Sequence, residues 1–543
     1  MGIIIDALNG LQHEFGWLRD EDLGRLAERL SVPLYRLEGI VSFYPHFRRQ
    51  PPPAVTVGLC RDVVCRLAGG RDFSARAKAA LARVPSVDVH EVSCLGRCDH
   101  APAAAINERP VLAADVDALA RAALDPAAMA SIVAPAGEKR SWASDPYEDK
   151  ASRYGVLRAL RERASAADEI VASLEASSLR GMGGAGFPTG LKWKLVRKEQ
   201  APTKYVVCNA DESEPGTFKD RVVLDEMPHL VIEGMALAAL VVGAAEGIVF
   251  IRHEYAAERE MLQAAIDEAR AMGALGEDAL GPGRAFDVSI FVSPGGYILG
   301  EETALLECLE DKRGEPRNKP PFPGQSGLFG LPTLINNVET FSYVPLIVKE
   351  GAEAWKARGN GGAAGLKLIA LSGDVTRPGV YQVPMGTTIA ELVAMAGGTL
   401  ENKPILALAP GGASSNFLRG DAIDTPLDWA ALTAAGSMLG SGAVLVICEG
   451  ADIVDLAANI VGFFRNESCG KCVPCRVGTE KAVSILEAAV AGRGSKRHLD
   501  MLPVLAETLA ETSICGLGQV AIAPFLSVLR AFEAEVRARF PEE

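Results

Sequence analysis

Residues 466–478 read NESCGKCVPCRVG and set Cys469, Cys472 and Cys475 at three-residue intervals, in a chain of 543 residues with 11 cysteines. Two C-x2-C steps that share a central cysteine leave a disulfide framework nothing useful to staple, but they can wrap a metal centre. Cys515, in TSICGLGQ, supplies a remote fourth thiol. C-x2-C-x2-C with a distant fourth cysteine is a [4Fe–4S] pattern, in which three thiolates grip one face of the cube and the fourth closes it. Zinc is the main competitor, yet tetrahedral zinc sites usually take cysteines as separated C-x2-C pairs. Nearer the N-terminus, CRDVVC and CLGRC contribute Cys60, Cys65, Cys94 and Cys98. Pairs spaced C-x4-C and C-x3-C suit a [2Fe–2S] rhomb, each pair holding one iron. A zinc knuckle is the alternative there. Cys208, Cys308 and Cys448 read as small buried hydrophobes.

A second chemistry lies between the two sets. LRGMGGAGFPTGLKW (179–193) contains G-x-G-x-x-G at Gly181, Gly183 and Gly186. A Rossmann fingerprint should follow a strand, whereas the preceding ADEIVASLEAS has helical character, so an ordinary dinucleotide fold is disfavoured. Backbone without side chains still admits a phosphate or a flavin edge, with Lys192 as counter-charge; a plain tight turn is the bland alternative. CNADESEPGTFKDR (208–221) groups Asn209, Asp211, Glu212 and Glu214 around a Pro-Gly turn. GGYILGEET (295–303) sets Glu301 and Glu302 beside an aromatic, and residues 319–340 add Phe322, Asn336 and Asn337. Amides that bond a flavin ring edge, carboxylates that take ribose hydroxyls and a Phe that covers a ring together suit a flavin–nicotinamide stack.

The elements that must position these groups follow from pattern. In DEDLGRLAERLSVP, Leu23, Leu26, Ala27 and Leu30 share a helical face. AVTVGLC and VDVHEVSC alternate as strands, each leading into a cysteine loop, which brings the four sulfurs to one end of a small sheet. GMALAALVVGAA (234–245) is too short to span a bilayer and reads as a buried helix. The stretch 134–150 is polar and aperiodic, a linker after an independent module. Residues 366–450 have the size and order of a β-grasp unit with one helix, TIAELVAMAGG. The rest is helical apart from the cysteine loop. The 48% hydrophobic and 23% charged composition is that of globular domains, and a net charge of −14 argues against nucleic acid as partner. With no secretory leader pattern and no membrane span, the expected location is the cytoplasm, where cysteines serve as metal ligands or redox groups more often than as disulfides.

On these motifs the chain from 151 to 543 resembles the NADH-oxidising flavoprotein subunit of respiratory complex I and its soluble diaphorase relatives. Residues 1–135, including FGWLRDEDLGRLAERLSVPLYRLEGIVSFYPHF, are similar to the partner thioredoxin-like [2Fe–2S] subunit, fused in front. The resemblance implies an α/β multidomain protein: a helical leader (1–50), a thioredoxin-like [2Fe–2S] domain (54–135), an FMN/NADH-binding domain (151–345), a β-grasp domain of SLBB type (366–450) and a helical bundle carrying [4Fe–4S] (451–543). It implies FMN contacts from Gly181, Gly183, Lys192, Asn209, Asp211, Tyr297, Gly300, Glu301, Asn336, Asn337 and Thr340. NADH contacts would come from Gly184, Phe187, Lys192, Glu214, Glu302 and Phe322. The chain departs from the family pattern in having Met182 in place of an Arg, Leu195 where an aromatic is common, and His253 in place of a Gly; the histidine is expected to face solvent. The implied activity is hydride transfer between NAD(H) and FMN, with single electrons relayed through the clusters and no general acid or base. No cysteine set remains for a nickel or molybdenum centre, so the terminal substrate falls to a catalytic alpha subunit carrying further iron–sulfur clusters. The reading leans to NAD-dependent molybdenum or tungsten formate dehydrogenase, with NAD-reducing hydrogenase next and a fused complex I subunit third. A zinc-stapled docking subunit is the non-redox alternative.

Overall fold

A computed structural model describes residues 3–82, 84, 86–112, 115–130, 132 and 140–542. The leader forms helices Ile3–Phe15, Asp20–Leu30 and Leu34–Val41. In the second, Leu23, Leu26 and Ala27 are buried and three acidic residues occupy the first turn, where the helix dipole favours them. The first helix docks on the far half of the chain: the N–H groups of Ile4 and Ile5, unpaired within their own helix, donate to the Asp311 carboxylate at 3.1 and 2.9 Å.

Strands Val55–Cys60, Val87–Val92, Ala104–Ile106 and Arg109–Val111 make the small sheet, the first two parallel and the others antiparallel. Helices Gly70–Leu81 and Val116–Leu124 cover it over a core of Val57, Leu59, Phe73, Leu81 and Leu119. Its cysteine end is no free surface. Val63, Val64, Cys94 and Cys98 belong to the main core, with the central domain. Two ion pairs cross the same junction, Arg97–Glu258, buried, at 2.9 Å and Arg221–Asp99, partly buried, at 2.6 Å. Arg66 adds a bidentate pair to Asp455 of the C-terminal helices. The expected linker is likewise corrected. Residues 134–139 lie outside the described residues, and from 140 onward the chain is packed: buried Trp142 donates its Nε1–H to Glu226 at 2.7 Å, and Arg140 pairs with the same carboxylate at 2.6 Å.

The central domain is a four-stranded parallel sheet in the order Asp287–Ser293, Glu246–Arg252, Tyr205–Ala210, Thr333–Asn337. Helices cover both faces, which is why the strands read as apolar runs. Helix Pro228–Val242 is buried all round and contains the GMALAAL stretch. Gly234 is required there, since a Cβ would stand 2.2 Å from the Phe341 carbonyl oxygen of helix Val338–Glu350. From Tyr205–Ala210 the chain adds strands to one side, then returns to the other with Thr333–Asn337. The crevice at that reversal, at the carboxyl ends of parallel strands, is where open α/β sheets bind ligands.

The β-grasp unit is a five-stranded sheet, Gly379–Pro384, Leu366–Gly373, Ala443–Cys448, Ile405–Ala409 and Leu418–Arg419 in spatial order. Its helix Ile389–Met395 starts at a reciprocal Thr388–Glu391 cap, and a second short helix, Trp429–Ala434, was not expected from the sequence. Lys367 of this unit is fully buried and ion-pairs with Glu339 of the central domain at 2.5 Å. Helices Ile453–Asn466, Val473–Val490, Lys496–Thr512, Gly516–Val520, Ala523–Ala531 and Glu533–Ala538 complete the chain. Among the described residues no helix is long and apolar enough to cross a membrane.

One buried carboxyl generates a pH prediction. Glu233, inside the fully buried helix Pro228–Val242, accepts from the Tyr147 hydroxyl at 2.6 Å and the Leu157 N–H at 3.0 Å, and burial pushes its pKa up to about 7. A raised folded pKa contributes stability that is complete below the unfolded value and is lost as pH rises through the folded one. Stability should therefore fall by about 3 kcal/mol between roughly pH 4.5 and 7 on account of this group. Melting midpoints of Glu233→Gln should vary less from pH 5 to 8 than those of the parent; equal pH slopes would show that Glu233 is ionised in the fold.

Candidate functional site

Cys472 caps the N-terminus of helix Val473–Val490 and Cys475 lies in its first turn, while Cys515 caps Gly516–Val520. Backbone N–H groups of Leu517 and Gly518 bond the Cys515 sulfur at the start of its helix, a lowering effect smaller than that of burial. Cys469, Cys472, Cys475 and Cys515 line one cavity, closed by Ile298, Pro316, Ser468 and Ile514. Burial pushes the Cys515 thiol up to about 11 and raises Cys469 and Cys475, so these groups are protonated near neutrality until a metal displaces the protons. Four thiols lining one small, mostly apolar cavity fit a [4Fe–4S] cube. Among the described residues no three His, Cys, Asp or Glu side chains are grouped as a single metal ion requires.

The second set is buried in full: Cys60, Cys65, Cys94 and Cys98 are each at most 5% exposed. Cys94 and Cys98 sulfurs lie 3.6 Å apart. Backbone N–H groups of Ala103, Gly96 and Gly216 donate to Cys65, Cys94 and Cys98 at 3.3–3.4 Å. Hydrogen bonds from the Cys60 and Cys98 sulfurs hold the Cys94 thiol well below its ordinary range, and the Arg252 guanidinium adds to this. A thiolate, its thiol neighbours and inward N–H donors fit a [2Fe–2S] centre, whose sulfurs take such bonds.

At the strand reversal Asn209 and Asn337 are register partners. Asn209 donates to the Gly300 carbonyl at 2.9 Å and accepts from the Asp211 N–H at 3.1 Å. Asn337 donates to Asp220 at 2.6 Å and caps helix Val338–Glu350. Asn336 accepts from Trp193 at 3.0 Å, and Thr340 accepts from the Met182 N–H at 2.8 Å. Above them runs the glycine loop, pinned by the Gly181 N–H on the Phe187 carbonyl at 2.9 Å. At Gly183 a Cβ would press on Asn337 at 3.0 Å, and Gly184 has φ 117°, so only glycine leaves this floor open. Asp211 fits a ligand at this place: one carboxyl oxygen is buried without a protein partner, and burial pushes its pKa up to about 7. A cofactor ring edge that donates hydrogen bonds fits that oxygen, and the open glycine backbone fits a phosphate. Phe187 and Phe322 are exposed at 41% and 54%, free to cover a second ring. Lys192 bonds the Ile335 carbonyl at 3.1 Å, and burial lowers its pKa. Tyr297 packs edge-on against Phe463 with ring centroids 5.0 Å apart.

Three of the residues assigned to the nucleotides also hold structure. Glu301 caps helix Glu302–Leu309, and both Glu301 and Glu302 pair with Lys319 at 2.8 Å. Glu214 accepts from the Ser414 N–H at 2.8 Å and its hydroxyl at 2.6 Å, so the β-grasp unit forms one wall of the crevice. His253 is half-buried rather than turned out to solvent: its side chain is 20% exposed and its ring lies 4.7 Å from that of His46 in the N-terminal segment. Met182 is buried at 2%, whereas Leu195 is exposed at 47%. Sequence reasoning missed Arg252, which donates to the carbonyls of Glu212 at 2.5 Å and Cys94 at 2.6 Å and so ties the crevice to the [2Fe–2S] loop. It precedes His253 at the end of an apolar strand, and a lone arginine at a strand end gives no local sign of the carbonyls it will bind.

Family models match in chain order: a thioredoxin-like [2Fe–2S] ferredoxin over residues 1–124, the Nuo51 FMN-binding domain over 174–346, an SLBB domain over 368–415, and the NADH-ubiquinone oxidoreductase-F iron–sulfur binding region over 455–539. The F 2 subunit of the NADH-quinone oxidoreductase of Rhizobium meliloti is 45% identical over 391 residues, 72% of this chain and 93% of that protein. The alpha subunit of the NAD-reducing hydrogenase HoxS of Cupriavidus necator is 34% identical over 97% of this chain and 90% of its own length. The crystal structure of an NAD+-reducing [NiFe]-hydrogenase in the H2-reduced state contains a chain that superposes with a TM-score of 0.89 at 32% identity, covering 100% of this chain and 93% of that one.

The two sulfur sets should be separable. Cys98→Ser is expected to abolish the [2Fe–2S] signal in electron paramagnetic resonance of the dithionite-reduced chain while the [4Fe–4S] signal persists, and Cys515→Ser to do the reverse. Loss of both signals from either variant would show one shared centre.

Proposed function

The chain belongs to the family of the NADH-quinone oxidoreductase F subunits and their NAD-reducing hydrogenase counterparts, and from that premise we propose that it is the cytoplasmic diaphorase subunit of an NAD-linked oxidoreductase. FMN, when bound, exchanges a hydride with NAD(H) and passes electrons singly to iron–sulfur clusters. The observation that carries the reading is the junction of three sites. The crevice loop donates its Gly216 N–H to Cys98, and the Tyr297 ring packs on the helix that leads into the Cys469 loop.

The protein's own work is to orient and to exclude water. Asn209, Asp211 and Asn337 would hold the ring edge of the flavin, while Gly181, Gly183 and Gly184 would let it approach the backbone. Phe187 and Phe322, both exposed at the crevice, would cover a nicotinamide from outside, and Ser414 holds Glu214 against the β-grasp wall. Stacked rings in fixed contact need no acid or base for hydride transfer.

For the terminal substrate, the complete cysteine set of the N-terminal module supports formate oxidation by a molybdenum or tungsten partner. The full-length likeness to the HoxS alpha subunit supports hydrogen as the second reading. Purification with the co-expressed catalytic partner tests both: NAD+ reduction with formate and not with H2 establishes the first, and the converse establishes the second. The chain alone should reduce ferricyanide with NADH. Failure of the FMN-loaded, cluster-loaded chain to do so would overturn the diaphorase reading.

Nucleotide choice is expected to rest on Glu302. A carboxylate near the adenosine ribose accepts from its hydroxyls and repels a 2′-phosphate. Glu302→Gln removes that charge and releases Lys319 from one partner, so NADPH turnover should rise relative to NADH, by about tenfold for a difference of about 1.4 kcal/mol. An unchanged ratio would assign the preference to another residue.

A further inference from the structure

Glu467 ends helix Ile453–Asn466, two residues before the first cysteine of the [4Fe–4S] loop. Its side chain serves neither that loop nor its own helix. One carboxylate oxygen accepts from the Ser93 hydroxyl, next in sequence to Cys94 of the [2Fe–2S] set. The other accepts from the backbone N–H of Tyr297, in the GGYILGEE segment that follows strand Asp287–Ser293 and borders the crevice, at 2.8 Å. A single charged side chain therefore touches two of the three proposed redox sites and is covalently continuous with the third. We propose that Glu467 is a positioning residue that fixes the two clusters and the flavin crevice relative to one another, and that its charge sets their potentials in common.

The physical grounds are geometric and electrostatic. Both partner loops are tethered by groups adjacent to the functional ones, Ser93 beside Cys94 and Tyr297 in GGYILGEE, so a shift of Glu467 moves both. Electron transfer between centres depends on their spacing, and cluster potentials respond to net charge and hydrogen bonding close by. A carboxylate in a half-buried junction acts on neighbouring charge through a lower effective dielectric than water. Glutamate suits the position because two acceptor oxygens take the two donors at once, whereas glutamine offers one acceptor and would set its amide group against one of the donors.

The inference rests on the three-centre reading above, and its test keeps the two apart. Redox titrations of the full chain, followed by electron paramagnetic resonance for the clusters and by absorbance for the flavin, compare the parent with Glu467→Gln. Loss of one negative charge favours every reduced form, so the midpoints of all three centres should move positive together. Ser93→Ala keeps the charge and the Tyr297 bond, is the gentler change should Glu467→Gln fail to fold, and should alter the [2Fe–2S] spectrum and midpoint alone. A parent that lacks one of the centres sinks the three-centre reading. A parent with all three, joined to Glu467→Gln midpoints that stay put or shift only at the [4Fe–4S] centre, overturns the role of Glu467. So does a Ser93→Ala [2Fe–2S] spectrum and midpoint identical to the parent's.

Discussion

The fully buried carboxylate of Glu339 holds the crevice in register with the rest of the molecule. It takes Lys219 at 2.9 Å from the first turn of helix Lys219–Glu226, beyond Asn209 and Asp211, and Lys367 at 2.5 Å from the β-grasp unit. It also accepts from the Leu368 N–H at 2.8 Å and the Tyr343 hydroxyl at 3.1 Å. The paired lysines keep it below the ordinary carboxylate range against the cost of burial. Two cations around one anion would leave an excess charge in the core, and Asp220, 2.7 Å from Lys219, completes a neutral set. Such a network adds little net stability compared with an apolar core, but loss of any one member strands a charge. What it supplies is one arrangement: Asn337, which bonds Asp220 and immediately precedes the helix bearing Glu339, can occupy only one place.

From that fixed point the remaining contacts order themselves outward. The strand reversal brings Asn209 and Asn337 side by side, the glycine loop closes above them, and Ser414 and Ser441 draw the β-grasp wall onto Glu214. The N-terminal module then docks with charges already paired, Arg97 with Glu258 and Arg221 with Asp99. Its own core lies at the other end of the small sheet. The fusion of the two halves is thus more than a covalent convenience: the [2Fe–2S] sulfurs are sealed by residues of the flavin domain, including the Gly216 N–H on Cys98.

Much of this was legible along the chain. The two cysteine sets declare themselves because a cluster takes several ligands from one short loop, and spacing within a loop is written directly in residue order. A buried helix was readable from the apolar run 234–245, though not its start at Pro228, and the strands into Cys60 and Cys94 from their alternation and the cysteines that follow. The glycines and the Asn-Asn pair were visible as types, since an open floor and a ring edge each need such residues.

The tertiary structure alone decided what meets what. Ser93 and Glu467 are separated by 374 positions, Glu214 and Ser414 by 200, and Arg66 and Asp455 by 389. No local pattern marks one carboxylate among 69 acidic residues as the one that will face a particular hydroxyl. His253 shows the same limit, read as solvent-facing because the ring beside it belongs to His46. Ligand spacing and periodicity are properties of consecutive residues and survive in the sequence. Hydrogen bonds and ion pairs between distant segments exist only once packing has excluded water and left each buried polar group a single available partner.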